Sequence, residues 1–246
     1  MEISLLTDVG QKRTNNQDYA NLFVNRAGKT LIILADGMGG HRAGNIASEM
    51  AVTDLGAAWV DTQIDSVNQV REWFAEHLEE ENQRIHQFGQ DEEYKGMGTT
   101  LEALAIIDNQ AIYAHIGDSR IGLIRGDEYR QLTNDHSLVN ALLKAGQITP
   151  EEAERHPQKN IITQSIGQKD EVQPDYGMIT LEDGDYLLLN SDGLTNMISD
   201  SEICDIVTSD ISLSEKTETL IRFANNAGGL DNITVALVRF DKEGKA

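Results

Sequence analysis

Short apolar runs, each closed by a polar or glycine-containing break, punctuate this chain. The run Leu31-Ile32-Ile33-Leu34-Ala35, bounded by Gly28 and Asp36, predicts a buried strand. The opening Met1-Glu2-Ile3-Ser4-Leu5-Leu6-Thr7-Asp8 predicts the first strand. From 43 to about 59, Ile46, Ala47, Met50, Ala51 and Leu55 recur at helical spacing. Ser66-Val67-Asn68-Gln69 predicts a capping box that opens a long amphipathic helix to about Phe88. Residues 99–107 and 111–116 predict strands around the turn Asp108-Asn109-Gln110, and 121–124 turns at Arg125-Gly126-Asp127 into 129–132. Turns this short pair successive strands antiparallel, because a parallel partner needs a long crossover.

Further along, a helix is predicted over 135–144, ending at Gly146. Thr149-Pro150-Glu151-Glu152 places a capping threonine, a proline at the first helical position and a glutamate that closes the box. Residues 186–189 predict another apolar strand, Ser199-Asp200-Ser201-Glu202 and Ser212-Leu213-Ser214-Glu215 open two more helices, and 233–240 predicts the last strand. Blocks of antiparallel strands between blocks of helices predict an α+β fold of layered sheet and helix and not a βαβ repeat. The three prolines, Pro150, Pro157 and Pro174, all fall within 146–174, the loosest stretch, so the expectation is one domain over 1–246 with one substantial insertion.

Composition narrows the partners. Forty-one acidic residues against 20 basic ones give a formal net charge of −21, which repels nucleic-acid phosphates and anionic lipid heads. No apolar run approaches the ~18 residues of a membrane span, and the first residues lack the basic start and apolar middle of a signal peptide. Cys204 is the only cysteine, which fits a reducing cytoplasm. The acidic surface, without an obvious apolar stripe, leads us to expect a monomer.

The candidate chemistry lies where the apolar runs end. The run 31–35 leads into Asp36-Gly37-Met38-Gly39-Gly40, 111–116 into Gly117-Asp118-Ser119-Arg120, and 186–189 into Asn190-Ser191-Asp192-Gly193, while the last run starts directly after Asp231-Asn232. Any one of these is an ordinary turn aspartate. Four together, on strands that can lie side by side, would repel one another unless protonated or offset by cations. Hard divalent ions that prefer oxygen donors are the natural counter-charge, and no HExxH or Cys/His spacing offers a zinc site. Arg13, within Gln11-Lys12-Arg13-Thr14-Asn15-Asn16-Gln17-Asp18, could fork onto two phosphate oxygens beside such ions.

Arg13…Asp18, Asp36-Gly37-Met38-Gly39-Gly40, Gly98-Thr99-Thr100, Gly117-Asp118-Ser119-Arg120, Ser191-Asp192-Gly193 and Asp231-Asn232 occur in the order found in type 2C protein phosphatases. The chain thus resembles the PPM family of metal-dependent serine/threonine phosphatases, from Asp8 to Val238, and its compact length resembles the bacterial branch. The resemblance implies a central β-sandwich of two antiparallel sheets flanked by pairs of helices, in four αββα layers, with the site at one end. It implies two Mn²⁺ or Mg²⁺ ions bridged by Asp36. Asp192 and Asp231 complete one ion's shell, while the Gly37 carbonyl and waters, with Asp18 in the outer shell, serve the other. Bacterial members often hold a third ion, for which Asp118 is the match, helped by Asp192. Arg13 matches the phosphate-binding arginine, and about 146–166 matches a flap linked to substrate handling. The implied activity is hydrolysis of phosphoserine and phosphothreonine proteins by attack of a water between the ions, opposing a cognate serine/threonine kinase. Asp36, Asp192 and Arg13 are thereby the catalytic candidates.

Two positions depart from the pattern. Many eukaryotic members carry a histidine after the Asp-Gly, proposed as the acid for the leaving alcohol; here Met38 stands there, and His41 and Asn232 are candidates only for minor roles. Gln17 stands before Asp18 where other members often have Glu. Two alternatives compete with an active phosphatase. A non-catalytic metal-binding regulatory relative would be expected to lose ligands, whereas the ligand positions are filled. An aspartyl-nucleophile phosphatase of the haloacid dehalogenase type needs an Asp-x-Asp pair, which Asp36-Gly37-Met38 does not supply.

Overall fold

The structure, a computed structural model, describes residues 1–40 and 43–242, apart from the side chain of Glu154; His41 lies outside the described residues. One sheet joins β1 (Glu2–Asp8), β11 (Ile233–Arg239), β10 (Tyr186–Asn190), β7 (Arg120–Arg125) and β8 (Glu128–Gln131) in that order. The other joins β2 (Asp18–Val24), β3 (Thr30–Met38), β5 (Leu101–Ile107), β6 (Gln110–Ile116) and β9 (Asp175–Thr180), with β4 (Gly98–Thr99) paired on β3. Every pairing between these strands is antiparallel. Helices α1 (Ala43–Val60) and α2 (Val67–Phe88) cover the outer face of the second sheet. Helices α6 (Asp200–Thr208) and α7 (Leu213–Asn226), with the single turn α5 (Asp192–Thr195), cover the outer face of the first. The result is the four-layer αββα sandwich.

The continuous apolar runs follow from this layering. A strand buried on both faces cannot alternate apolar with polar. In β3, Leu31, Ile33 and Ala35 face α1 and α2, while Ile32 and Leu34 face the other sheet. In β11, Ile233, Val235 and Leu237 face α6 and α7, while Ala236 and Val238 face inward. Each fully buried leucine or isoleucine contributes about 1.5–3 kcal/mol by leaving water, so β3, β6, β10 and β11, at whose ends Asp36, Asp118, Asp192 and Asp231 stand, are anchored by deep burial.

Several expected boundaries move. The predicted strand 99–107 is broken at Thr100, whose N–H turns aside to the Asp36 carbonyl at 2.9 Å. The helix expected from 135 begins only at Leu138, in α3 (Leu138–Lys144), because Ser137 is its cap and accepts from the Asn140 N–H. Ser66 does precede α2, but makes no side-chain cap bond; its hydroxyl donates instead to Gln69. The boxes at Thr149, which opens α4 (Pro150–Glu154), and at Ser199 and Ser212 form in full.

Candidate metal and phosphate site

Antiparallel pairing decides where the aspartates go. Asp18 begins β2 and is the direct cross-strand partner of Asp36 on β3. Like charges directly opposed destabilise a sheet, so this pair is a cost that the fold accepts. Asp118 follows β6, at the same end of the same sheet, because β6 returns alongside β5, which lies beside β3. Asp192 follows β10 and Asp231 precedes β11, two adjacent strands of the facing sheet. Five carboxylates from both sheets therefore meet at one end of the sandwich.

The backbone around them is clamped. The Asp36 N–H donates to Thr100 Oγ1 at 2.9 Å, and its carbonyl accepts from the Thr100 N–H and from Thr99 Oγ1 at 3.0 Å. Thr100 Oγ1 in turn meets Ser119 Oγ at 2.9 Å, which ties the Asp36 strand to the Asp118 loop. Ser191 Oγ donates to Asp18 Oδ2 at 2.7 Å and accepts from the Thr234 N–H at 2.9 Å, stitching the two sheets together. Asn232, buried, donates from Nδ2 to the carbonyls of Val9 and Asn15 and accepts the Gln17 N–H on Oδ1, each at 2.9 Å. It thus holds the loop that carries Arg13. Thr99, Thr100, Ser119, Ser191 and Thr234 have no site role in the sequence reading; the first four stand inside the family motifs, and the only signal at Thr234 is polarity within an apolar strand.

Two glycines are required by close approach. A Cβ on Gly37 would sit 2.0 Å from the Gly44 carbonyl oxygen, and one on Gly193 would sit 1.9 Å from the Asn232 carbonyl oxygen. Asp-Gly therefore lets the strand ends lie against α1 and β11 while the neighbouring carboxylates face the site. The Gly37 carbonyl lies against Gly44, where a Cβ would come within 2.7 Å of it.

The electrostatics are those of crowded acids. Burial first, then Asp18, Asp192, Asp118 and Asp231 in turn, hold the Asp36 carboxyl well above the usual range. Burial pushes Asp18 up to about 7, against hydrogen bonds from Ser191 and Thr234. Burial, then Asp192 and Asp135, lift Asp118 to about 7; burial, then Asp231, lift Asp192 to about 6, opposed by Arg13. Arg13 Nη2 donates to Asp231 Oδ2 at 2.7 Å, with both side chains substantially exposed. The expected phosphate-binding arginine thus lies at the cluster, on the carboxylate that the resemblance makes a ligand.

Does this donor set fit divalent ions? Among the described residues, no three acidic or histidine side chains close into a cage as they stand. The chemistry nevertheless fits: the donors are hard oxygens, and the buried atoms Asp18 Oδ1 and Asp192 Oδ1 have no hydrogen-bond partner. Orphaned carboxylate oxygens inside a protein are costly unless a cation answers them.

The family profile for Protein phosphatase 2C matches residues 9–236. Among relatives, the protein phosphatase PhpP of Streptococcus pneumoniae is 84% identical over 243 residues, covering 99% of both chains. The serine/threonine phosphatase stp of Listeria welshimeri is 43% identical, covering 97% of this chain and 95% of that one. Among solved structures, the S. agalactiae serine/threonine phosphatase superposes with a TM-score of 0.95 at 61% identity, over 96% of this chain and 98% of that one. The serine/threonine phosphatase Stp1 of Staphylococcus aureus gives 0.93 at 36% identity, over 99% and 95%. An ordered set of strand-end aspartates, a fold that gathers them and relatives of matching length agree: the chain belongs to the protein phosphatase 2C family.

Proposed function

We propose that this protein serine/threonine phosphatase works at the acidic end of the sandwich, with Mn²⁺ or Mg²⁺ as its ions, two at the centre and a third beside Asp118. The observation that carries the reading is the cross-strand pair Asp18–Asp36, facing Asp192 and Asp231 from the other sheet, with buried carboxylate oxygens left unpartnered. Asp36, Asp192 and Asp231 would hold the central ions, with the Gly37 carbonyl and, further out, Asp18. Bound there, such ions supply positive charge against the phosphoryl oxygens and make a water nucleophilic near neutral pH.

The chain's own residues do the rest. Arg13 is half-exposed, so its guanidinium is free to leave Asp231 and fork onto two phosphoryl oxygens. There it stabilises the charge that grows as the ester opens. Water attacks phosphorus in line, the P–O bond to the serine or threonine oxygen breaks, and that oxygen takes a proton from solvent, Met38 having none to give. The products are inorganic phosphate and the free alcohol, with no phosphoenzyme.

The same proposal takes residues 1–246 as one catalytic unit and about 146–166 as its flap. Its substrates are phosphoserine and phosphothreonine proteins supplied by a cognate serine/threonine kinase, and it acts as a cytoplasmic monomer without nucleic-acid or membrane partners. Among the described residues, no helix is long and apolar enough to cross a membrane. The test is hydrolysis of a phosphothreonine peptide and of p-nitrophenyl phosphate in Mn²⁺, with and without excess EDTA. Turnover that stops in EDTA and returns with Mn²⁺ is expected. Full turnover in EDTA, or a phosphoryl group trapped on Asp36, would overturn the mechanism, and metal binding without turnover would favour a regulatory domain.

A further inference from the structure

Arg120 closes the Gly117-Asp118-Ser119-Arg120 motif and has no part in the chemistry above. Its guanidinium forks onto Asp135: Nε donates to Oδ1 at 3.0 Å and Nη2 to Oδ2 at 2.7 Å. Gln131 Nε2 adds a bond to Asp135 Oδ1 at 2.8 Å. Asp135 lies in a short strap, 133–137, in which each residue is pinned. On the strand side, Thr133 Oγ1 accepts the Ile121 N–H at 3.1 Å, and the Asn134 carbonyl meets His115 Nε2 at 3.0 Å. His115 is itself buried against Glu102, with Nδ1 2.5 Å from Oε1. The His136 N–H donates to the Gly117 carbonyl at 2.6 Å, and the Gly117 N–H points back to His136 Nδ1 at 3.3 Å.

On the other side the strap grips the segment beyond it. Asn140 of α3 donates to the Asp135 carbonyl at 2.6 Å, and Ser137 caps α3 and bridges Ile162. The Thr163 N–H donates to the His136 carbonyl and the Leu138 N–H to the Ile161 carbonyl, both at 2.8 Å. A cleft of about 670 Å³ is lined by Asp118 and Asp192, by Arg120 and Asp135 themselves, and by Asn140, Lys159 and Asn160 of the segment beyond the strap. The strap is the covalent and hydrogen-bonded link between the Asp118 side of the cleft and the wall contributed by 138–163.

We infer that Asp135 and its partner Arg120 are positioning residues, whose ion pair sets the 138–163 wall against the Asp118 loop and so fixes the width of the cleft that receives the polypeptide flanking a phosphorylated residue. A fork of two parallel bonds fixes orientation as well as distance. The side chains of the pair are only 27% and 19% exposed, so solvent screens it less than an open surface bridge. A small phosphate ester needs the aspartates but not the far wall; a phosphopeptide needs both. The inference rests on the phosphatase reading.

The test compares wild type with Asp135→Asn, which keeps shape but weakens the fork, and with Asn140→Ala, which frees α3 from the Asp135 carbonyl. We expect KM for a phosphothreonine peptide to rise about fivefold to tenfold, the size typical of a positioning network. The kcat and KM for p-nitrophenyl phosphate should stay within about twofold of wild type. Hydrogen exchange at the Leu138 and Thr163 amides should quicken in both variants. Arg120→Lys, which keeps charge but loses the fork, should match Asp135→Asn on the peptide. Peptide and small ester changing in parallel would overturn the inference, as would wild-type exchange at those two amides. A wild type inert toward both substrates in Mn²⁺ would instead remove the phosphatase reading, and the exchange rates would still decide whether the strap couples the walls.

Discussion

Asp18→Asn isolates the electrostatic cost of the cluster without any substrate. Asp18 is 5% exposed, and one carboxylate oxygen accepts from Ser191 while the other has no partner. Burial lifts its carboxyl from 3.8 to about 7. A carboxyl whose folded value lies above its unfolded one keeps a proton in the folded chain that the unfolded chain has lost. Stability therefore falls as pH rises from about 4, and the loss is complete above about 7. A shift of about three pH units at ~1.4 kcal/mol each caps the effect near 4 kcal/mol. The neighbouring aspartates titrate with Asp18 and share that cost, which leaves on the order of 1–2 kcal/mol for this side chain. Asparagine keeps an acceptor for Ser191 and removes the charge. In EDTA at pH 8 the variant should melt about 2–6 °C above wild type. At pH 5 the gap should shrink to roughly a third, since only that part of the titration window has been crossed. Saturating Mn²⁺ should reverse the order, because the ions stabilise the wild-type cluster in proportion to their binding. A variant less stable than wild type in EDTA at pH 8, or a gap independent of pH, would refute the reasoning.

Two further substitutions separate binding from scaffolding. Arg13→Ala should lower kcat/KM for phosphopeptide on the order of 100-fold while leaving bound Mn²⁺ intact; its exposed bridge to Asp231 should cost less than about 1 kcal/mol in a denaturant melt, and loss of the metal would show that the arginine serves the ions. Asn232→Ala should cost about 2 kcal/mol or more by stranding the carbonyls of Val9 and Asn15 and the Gln17 N–H, and should raise KM by loosening the Arg13 loop; unchanged stability and kinetics would remove it from the scaffold.

The strands buried on both faces were legible because nothing but a run of branched and aliphatic residues satisfies two apolar environments, as in β3 and β11. The capping boxes at Thr149, Ser199 and Ser212 were legible because they are local chemistry. Strand β2 is not legible in the same way: Asp18–Val24 lies at the edge of its sheet, half-exposed, and its Asn21 breaks the apolar pattern. Edge strand β9 was hidden for the same reason behind Pro174. The helix predicted from 135 starts at Leu138 because Ser137 supplies its cap, while Asp135 is committed to Arg120. At the site, each strand-end aspartate alone reads as an ordinary turn residue, and only the four together point to converging carboxylates. Asp18 joins them in the sequence only through the family resemblance, since its place depends on which strands pair across 173 residues between Asp18 and Ser191. Asn232 drew notice only as a minor site residue, whereas the fold makes it the clasp of the Arg13 loop.

The central claim is that the carboxylates at the sandwich end exist to hold divalent ions. Calorimetric titration of Mn²⁺ into EDTA-stripped, dialysed protein, side by side with Asp192→Ala, tests it most directly. At least two ions per wild-type chain are expected, with the variant losing both ion uptake at the centre and turnover of phosphothreonine peptide. Wild-type Mn²⁺ binding and turnover in the variant would contradict it.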